Sequence, residues 1–282
     1  MNFKKIKSYA KINLSLGVTG KLKSGYHKIE SLICFLNLYD EIKIRKIKSK
    51  THKIQFNGKF SKGIKNNNTI SNLLKILNQK KILNNQKYFI KIKKNIPHKS
   101  GLAGGSMNAS ALIKFFMSKK NSSFSKVKIV KLARQIGSDV ELGLNYKNKI
   151  LYSNGKIKTT SRKNRLFVII IKPNFGCSTK EIYRGVKNYS LKKIKNSRGD
   201  YFSFKNILKL QNDLENVAFK KHPKLAKVKF FMERLPNILF ARMTGSGSSI
   251  LGYFLTKKSA INASKLFKKK YKNYWCITSK TI

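Results

Sequence analysis

The sequence predicts an α+β fold in two domains. Apolar and polar residues alternate over 7–20 and 40–58, helical spacing appears at 68–81 and 106–119, and at 165–173 a near-continuous apolar run opens a second series of strands and helices. Alternation with period two marks a strand and recurrence near every third or fourth residue marks a helix. With 282 residues, 41% of them hydrophobic, the chain carries enough apolar material for two cores.

In chain order, Ile12, Leu14, Leu16 and Val18 describe a half-buried strand. Ile42, Ile44 and Ile47, followed by Ile54 and Phe56, describe a hairpin with a lysine-coated outer face. After the 68–81 helix, 86–97 returns to strand. The helix 106–119 is followed by another at 124–137, with Ser125 as N-cap and Gly137 as its stop. Residues 148–161 form a hairpin turning on Asn154 and Gly155. We place the domain boundary at residue 162, giving domains 1–162 and 163–282. The second domain runs through the strand 165–173, helices at 203–220 and 223–234, strands within 238–256, a helix at 257–270 and a last strand at 274–280. The Lys/Asn-rich run 189–200 reads as a flexible loop.

The chain has 63 Lys plus Arg against 10 Asp plus Glu, a formal charge of +53. Such an excess suits polyanions, and a basic RNA-binding protein is one function class it admits. The lysines are spread over nearly every segment and accompany many Asn and Ile, the pattern of A/T-rich codons, so a dedicated nucleic-acid surface is not expected. No apolar run is long enough to span a membrane, and the first twenty residues carry charges where a signal peptide is apolar. We therefore expect a cytoplasmic protein, a monomer or weak homodimer, without membrane or specific nucleic-acid partners. Three distant cysteines, Cys34, Cys177 and Cys276, have no metal-ligand spacing and are expected as reduced, buried thiols.

The stretch Pro97, His98, Lys99, Ser100, Gly101, Leu102, Ala103, Gly104, Gly105, Ser106, Met107 concentrates glycines just before a helix. Glycine is entropically costly in ordered backbone, so the cluster requires a cause. A glycine turn opening a helix can present several N–H groups to a phosphate, assisted by the helix N-terminal partial charge. Gly101, Gly104 and Gly105 would form the cradle and Ser106 would offer a hydroxyl to phosphate or Mg²⁺. The Walker loop, the protein-kinase motifs and the dinucleotide fingerprint are all missing, so the cradle is of another kind.

"SYAKINLSL", "KSGYHKIESL", "PHKSGLAGGSMNASA", "GSDV", "QNDLENVA" and "RMTGSGSSI" follow one another in an order and spacing that resemble the GHMP kinases over almost the whole chain. Within that family, "AKINLSL", "GYH" and the lengthened glycine loop are most similar to the branch that acts on a cytidine diphosphate derivative of methylerythritol in non-mevalonate isoprenoid biosynthesis. The resemblance implies an S5-like N-terminal domain, a ferredoxin-like C-terminal domain and an active site between them. It implies ATP as co-substrate with Mg²⁺, and transfer of the γ-phosphoryl group to the 2-hydroxyl of the erythritol part. By the matched motifs Asp139 would take the hydroxyl proton and Lys11 would stand beside it, residues 97–107 would bind ATP, and Tyr26 and His27 would hold the cytosine. Asn13, Lys94, Thr244, Gly245, Ser246 and Gly247 would complete the substrate site, with Thr179 and Tyr183 nearby and Ser106 as the metal contact. Asp213 and Glu215 read as structural.

Two departures stand out. Ala103 replaces a glycine, which requires a negative φ there, and Met107 replaces a serine. Glu141, two residues after Asp139, either raises the Asp139 pKa or faces solvent. Other GHMP kinases, of mevalonate or homoserine type, remain the alternatives within the enzyme class.

Overall fold

The computed structural model describes residues 2–118, 125–161, 165–194 and 200–282. The chain forms two compact units that interleave along the sequence: Met1–Lys11, Leu38–His98 and Ala103–Tyr146 make the first, and Ile12–Asn37, Lys99–Leu102 and Lys147–Ile282 the second. The expected cut at residue 162 lies outside the described residues, and packing divides the chain along a different line. The cause is the length of the first two strands, β1 (Lys4–Lys21) and β2 (His27–Ile47), of 18 and 21 residues. Typical strands have about 5–6 residues, so each of these is long enough to serve two cores. β1 is buried on both faces from Ala10 to Leu16, not on one as its alternation suggested, because Lys11, Asn13 and Ser15 are enclosed as well.

The first unit adds β3 (Lys53–Asn57), α1 (Thr69–Gln79), β4 (Lys87–Lys93), α2 (Gly104–Ser118) and α3 (Lys126–Ile136). Residues 41–47 of β2 pair antiparallel with β4, and β3 pairs parallel with β4, so that Ile90 lies between Ile44 and Ile54. The expected 40–58 hairpin therefore does not close. Its arms run in opposite directions, one strand's width apart, with Ile42 and Ile44 on one side and Ile54 and Phe56 on the other side of Ile90 and Ile92. Asn68 caps α1 through its side chain, Ser125 Oγ caps α3 by accepting from Lys128 N, and Gly137 N ends α3 on the Ala133 carbonyl. Leu73 and Leu77 of α1, Leu112 and Phe116 of α2 and Leu132 of α3 cover the sheet. Burying one such side chain contributes roughly 1.5–3 kcal/mol.

The second unit contains β5 (Asn148–Leu151), β6 (Ile157–Thr160), β7 (Phe167–Lys172), α4 (Thr179–Arg184), α5 (Phe204–Lys209), α6 (Leu214–Lys221), α7 (Pro223–Met232), β8 (Phe240–Met243), β9 (Ile250–Phe254), α8 (Lys257–Lys270) and β10 (Trp275–Lys280). β5 and β6 form the expected hairpin, with Gly155 at φ 81° in its turn. The four-stranded sheet has the order β10-β7-β9-β8, antiparallel throughout. Counted within this sheet the order is fourth, first, third, second, which is the ferredoxin-like arrangement. Leu225, Val228 and Met232 of α7 and Ala260, Ala263 and Phe267 of α8 pack with Ile169, Ile171 and Ile250 of the sheet.

The helix expected at 203–220 is broken. Between α5 and α6 the backbone leaves the helix to pair with β1, Leu16 N donating to Gln211 O and Asp213 N to Leu16 O, both at 2.9 Å. Of the run 189–200, residues 195–199 lie outside the described residues. Before them the chain is tied down, Ser190 N to Val18 O at 2.8 Å, and Lys193 N and Ile194 N to the buried carboxylate of Glu30.

Candidate active site

The glycine stretch enters α2 through a bent approach. Lys99, Gly101 and Ala103 take φ values of 46°, 75° and 54°. Ala103 thus departs from the expected negative φ. A left-handed conformation costs an L-residue roughly 1–2 kcal/mol, and the loop carries that strain. Helix α2 begins at Gly104. A Cβ on Gly104 would lie 2.9 Å from Ile96 Cγ2, so packing alone demands glycine there. Gly105 is different: a Cβ would meet nothing closer than Thr69 Oγ1 at 3.4 Å, and the residue is exposed. The chain's own packing gives no reason for that glycine. Among the described residues no carbonyl accepts from the amides of Gly104, Gly105 or Ser106, and Ala103 has no side chain to cap them. These are the free donors of a helix start, with the positive end of the helix dipole behind them. Leu102 and Met107 point into the protein, each fully buried, so the missing second hydroxyl at 107 is replaced by core packing, with Met107 against Gly143.

Two lysine–aspartate pairs stand in the first unit. Lys11 Nζ lies 3.2 Å from Asp139 Oδ2; the lysine side chain is 5% exposed and the aspartate 37%. Asp139 follows the end of α3, in the turn where Val140 N bonds back to Gly137 O. Glu141 is taken up by Arg134, Nε to Oε2 at 2.5 Å and Nη2 to Oε1 at 3.2 Å, a two-pronged pair that neutralises it. The second pair is Lys94 with Asp40, both buried. Asp40 Oδ1 also accepts from Asn95 N at 2.7 Å and Ile96 N at 2.9 Å. Lys94, expected to meet phosphate oxygens, is thus held within the fold, and burial lowers its pKa while Asp40 opposes the shift. His98 places Nε2 2.5 Å from the Phe60 carbonyl.

In the second unit Asn13 N donates to Thr244 Oγ1 at 2.9 Å, and Asn13 Nδ2 to Ser31 Oγ at 2.8 Å. A Cβ on Gly101 would fall 2.0 Å from the Thr244 carbonyl oxygen, so Gly101 is a glycine because the 244–247 turn lies against it. Gly245 and Gly247 have φ values of 55° and 84°, and Ser246 Oγ lies 2.9 Å from Thr179 Oγ1. Tyr26 is 76% exposed at the tip of the β1–β2 hairpin, outside any core. The His27 ring lies tilted against Tyr183 at 5.2 Å and edge-on to Tyr189 at 6.3 Å. Partial burial first, and then Lys21, lowers the His27 pKa, which favours the neutral ring. The carboxylates Asp40 and Glu30 were not singled out from the sequence. A signal existed for Asp40 and for Lys94: Asp40 sits in the apolar phase of β2 with Ile42 and Ile44, and Lys94, one residue past β4, continues the phase of Ile90 and Ile92.

The chain matches the GHMP kinases N terminal domain over residues 68–145 and the GHMP kinases C terminal domain over 190–273. It is 51% identical over 282 residues to a 4-diphosphocytidyl-2-C-methyl-D-erythritol kinase of Pelagibacter ubique (strain HTCC1062), covering 100% of both chains. A protein of the same name from Clostridioides difficile (strain 630) is 31% identical, with 99% of this chain and 96% of the relative covered. A crystal structure of 4-(cytidine 5'-diphospho)-2C-methyl-D-erythritol kinase shares the fold with a TM-score of 0.79 at 21% identity, covering 98% of this chain and 99% of the other. A mevalonate kinase from Methanococcus jannaschii shares it at 0.61 and 17%, covering 99% and 98%. An unbroken match along the chain at half identity leaves one assignment: the chain belongs to the GHMP kinases, a family of small-molecule kinases.

Proposed function

We propose that the chain is a cytoplasmic enzyme that transfers the γ-phosphoryl group of ATP to the 2-hydroxyl of 4-diphosphocytidyl-2-C-methyl-D-erythritol. The names of the relatives support this substrate, and the observation that carries the chemistry is the Lys11–Asp139 pair. A hydroxyl becomes an adequate nucleophile when its proton has a place to go. Asp139 retains an accessible carboxylate to accept it, and the enclosed Lys11 cation beside it offsets charge on the moving phosphoryl group. The acceptor oxygen forms a bond to the γ-phosphorus, the bond from that phosphorus to the β,γ-bridging oxygen breaks, and ADP leaves while the proton resides on Asp139.

The free amides of Gly104, Gly105 and Ser106 suit the phosphate chain of the nucleotide, and the space kept open at Gly105 lets it approach the backbone. Magnesium at such sites is held by one or two protein oxygens together with phosphates and water. The Ser106 hydroxyl is a donor of that kind. Among the described residues no group of three His, Cys, Asp or Glu side chains stands ready to hold a metal ion. When bound, it would screen charge between the β- and γ-phosphates. His27 and Tyr26 are assigned to the cytosine, His27 as a neutral ring offering one donor and one acceptor.

The test is ADP release with ATP and Mg²⁺, comparing 4-diphosphocytidyl-2-C-methyl-D-erythritol with mevalonate and homoserine at low and high salt. Turnover with the cytidyl substrate alone is expected. Preference for either other alcohol, or salt-sensitive RNA binding without turnover, overturns the proposal.

A further inference from the structure

Asn212 stands two residues before α6 and is 3% exposed. Its Nδ2 donates twice, at 2.8 Å to the carbonyl of Met243 and at 2.8 Å to that of Gly245, while its Oδ1 accepts from Leu214 N at 3.1 Å. A side-chain amide has two donor hydrogens and they are set in one plane. Here they grip the backbone on both sides of Thr244. Glu215 braces the same region, its Oε1 accepting from Met243 N at 2.7 Å, and Asp213 ties the Asn212 segment to β1, its Oδ2 accepting from Val18 N at 2.7 Å.

The gripped turn is itself a support. Thr244 Oγ1 receives Asn13 N, Ser246 Oγ meets Thr179 Oγ1, and just beyond the turn Ser248 N and Ser249 N donate to the carbonyls of Lys99 and Ser100 at 3.3 and 3.2 Å. A displacement at Gly245 would therefore move every group that the turn holds. Gly245 and Gly247, both in the left-handed region, have no side chains of their own to resist it.

We propose that Asn212 is a positioning residue, whose two amide hydrogens set the 244–247 turn in the place that the phosphate acceptor requires. This rests on the reading, given above, that the turn lines the acceptor site.

Replacement by aspartate separates positioning from helix capping. Asn212→Asp keeps an oxygen for Leu214 N but loses both donors and sets a carboxylate against two carbonyls. In Asn212→Ser the hydroxyl can still cap but is too short to bridge both carbonyls. In either folded variant kcat/KM for 4-diphosphocytidyl-2-C-methyl-D-erythritol is expected to fall on the order of 10²-fold, as for a small misplacement of reacting groups, with the KM for ATP within about twofold of the parent. Amide exchange in the ligand-free protein should accelerate roughly tenfold at Thr244 and Gly247, whose hydrogen bonds to Ser249 O and Thr244 O close the turn, and stay unchanged along α6, the change expected from losing about one buried hydrogen bond.

Parent-like kinetics and exchange in both variants would overturn the proposal. So would a parallel rise in both KM values with a lowered melting temperature, or failure of both variants to fold, since each places Asn212 in general stability. A parent inactive toward this acceptor counts against the proposed function instead, and the exchange result then decides the role of Asn212.

Discussion

Two lysine–aspartate pairs in the first unit have the same chemistry and opposite exposure. Asp40 is fully buried and receives three donors, Lys94 Nζ, Asn95 N and Ile96 N. Asp139 meets Lys11 at 3.2 Å and leaves more than a third of its side chain open. A buried carboxylate with both oxygens held by fixed donors holds a fold together and is closed to a proton from outside. One with a single cationic neighbour and an open side is equipped to receive one. Occupancy of the oxygens, rather than the presence of the pair, separates structure from chemistry.

The comparison can be broken most directly at Asp139. Asp139→Asn should lower turnover on the order of 10³-fold, within the range of general-base catalysis, with an unchanged melting temperature; near-parental turnover would remove the distinction. Asp40→Ala should act the other way round, destabilising by about 3–5 kcal/mol in a denaturant titration because Lys94 is left buried without its partner. If Asp40→Ala costs less than Asp139→Asn in the same titration, exposure does not sort the pairs.

A sharper version uses the glycines. Gly105→Ala should leave stability equal or raised by up to about 1 kcal/mol, from helix propensity, while weakening binding of an ATP analogue in a titration calorimeter. Gly104→Ala, by contrast, should lose stability against Ile96. The smallest effect is expected for Ala103→Gly, a gain of no more than about 1 kcal/mol from relief of its positive φ, read as a small rise in melting temperature.

Local pattern made much of this visible beforehand. The N-cap Ser125, the stop at Gly137 and the turn at Asn154–Gly155 rest on short-range chemistry and occur as read. Pairing between distant segments was less legible. The alternation of 40–58 is real, yet alternation does not say which strand lies alongside, and β4 takes the place between the two arms. The helical pattern at 203–220 is likewise interrupted by a partner, Leu16, that lies far away in sequence. At the site, Lys11 and Asp139 lie beside each other, whereas Lys94, read from the sequence as a phosphate contact, pairs with Asp40 inside the fold. Its position in phase with Ile90 and Ile92 already marked it as interior, as the phase of Asp40 marked its partner. Asn212 carried no such mark, because its targets are backbone carbonyls that no side-chain pattern records.

The interleaving of the two units bears on biosynthesis. Every segment of the first has been synthesised once residue 146 is made, whereas Ile12–Asn37 must wait for partners that lie mostly between Lys147 and Ile282. At ordinary elongation rates that delay is on the order of ten seconds. Throughout it the apolar residues between Leu14 and Phe35 lack the strands that will cover them, so nascent chains paused before the last sheet is complete should be the form most dependent on chaperones.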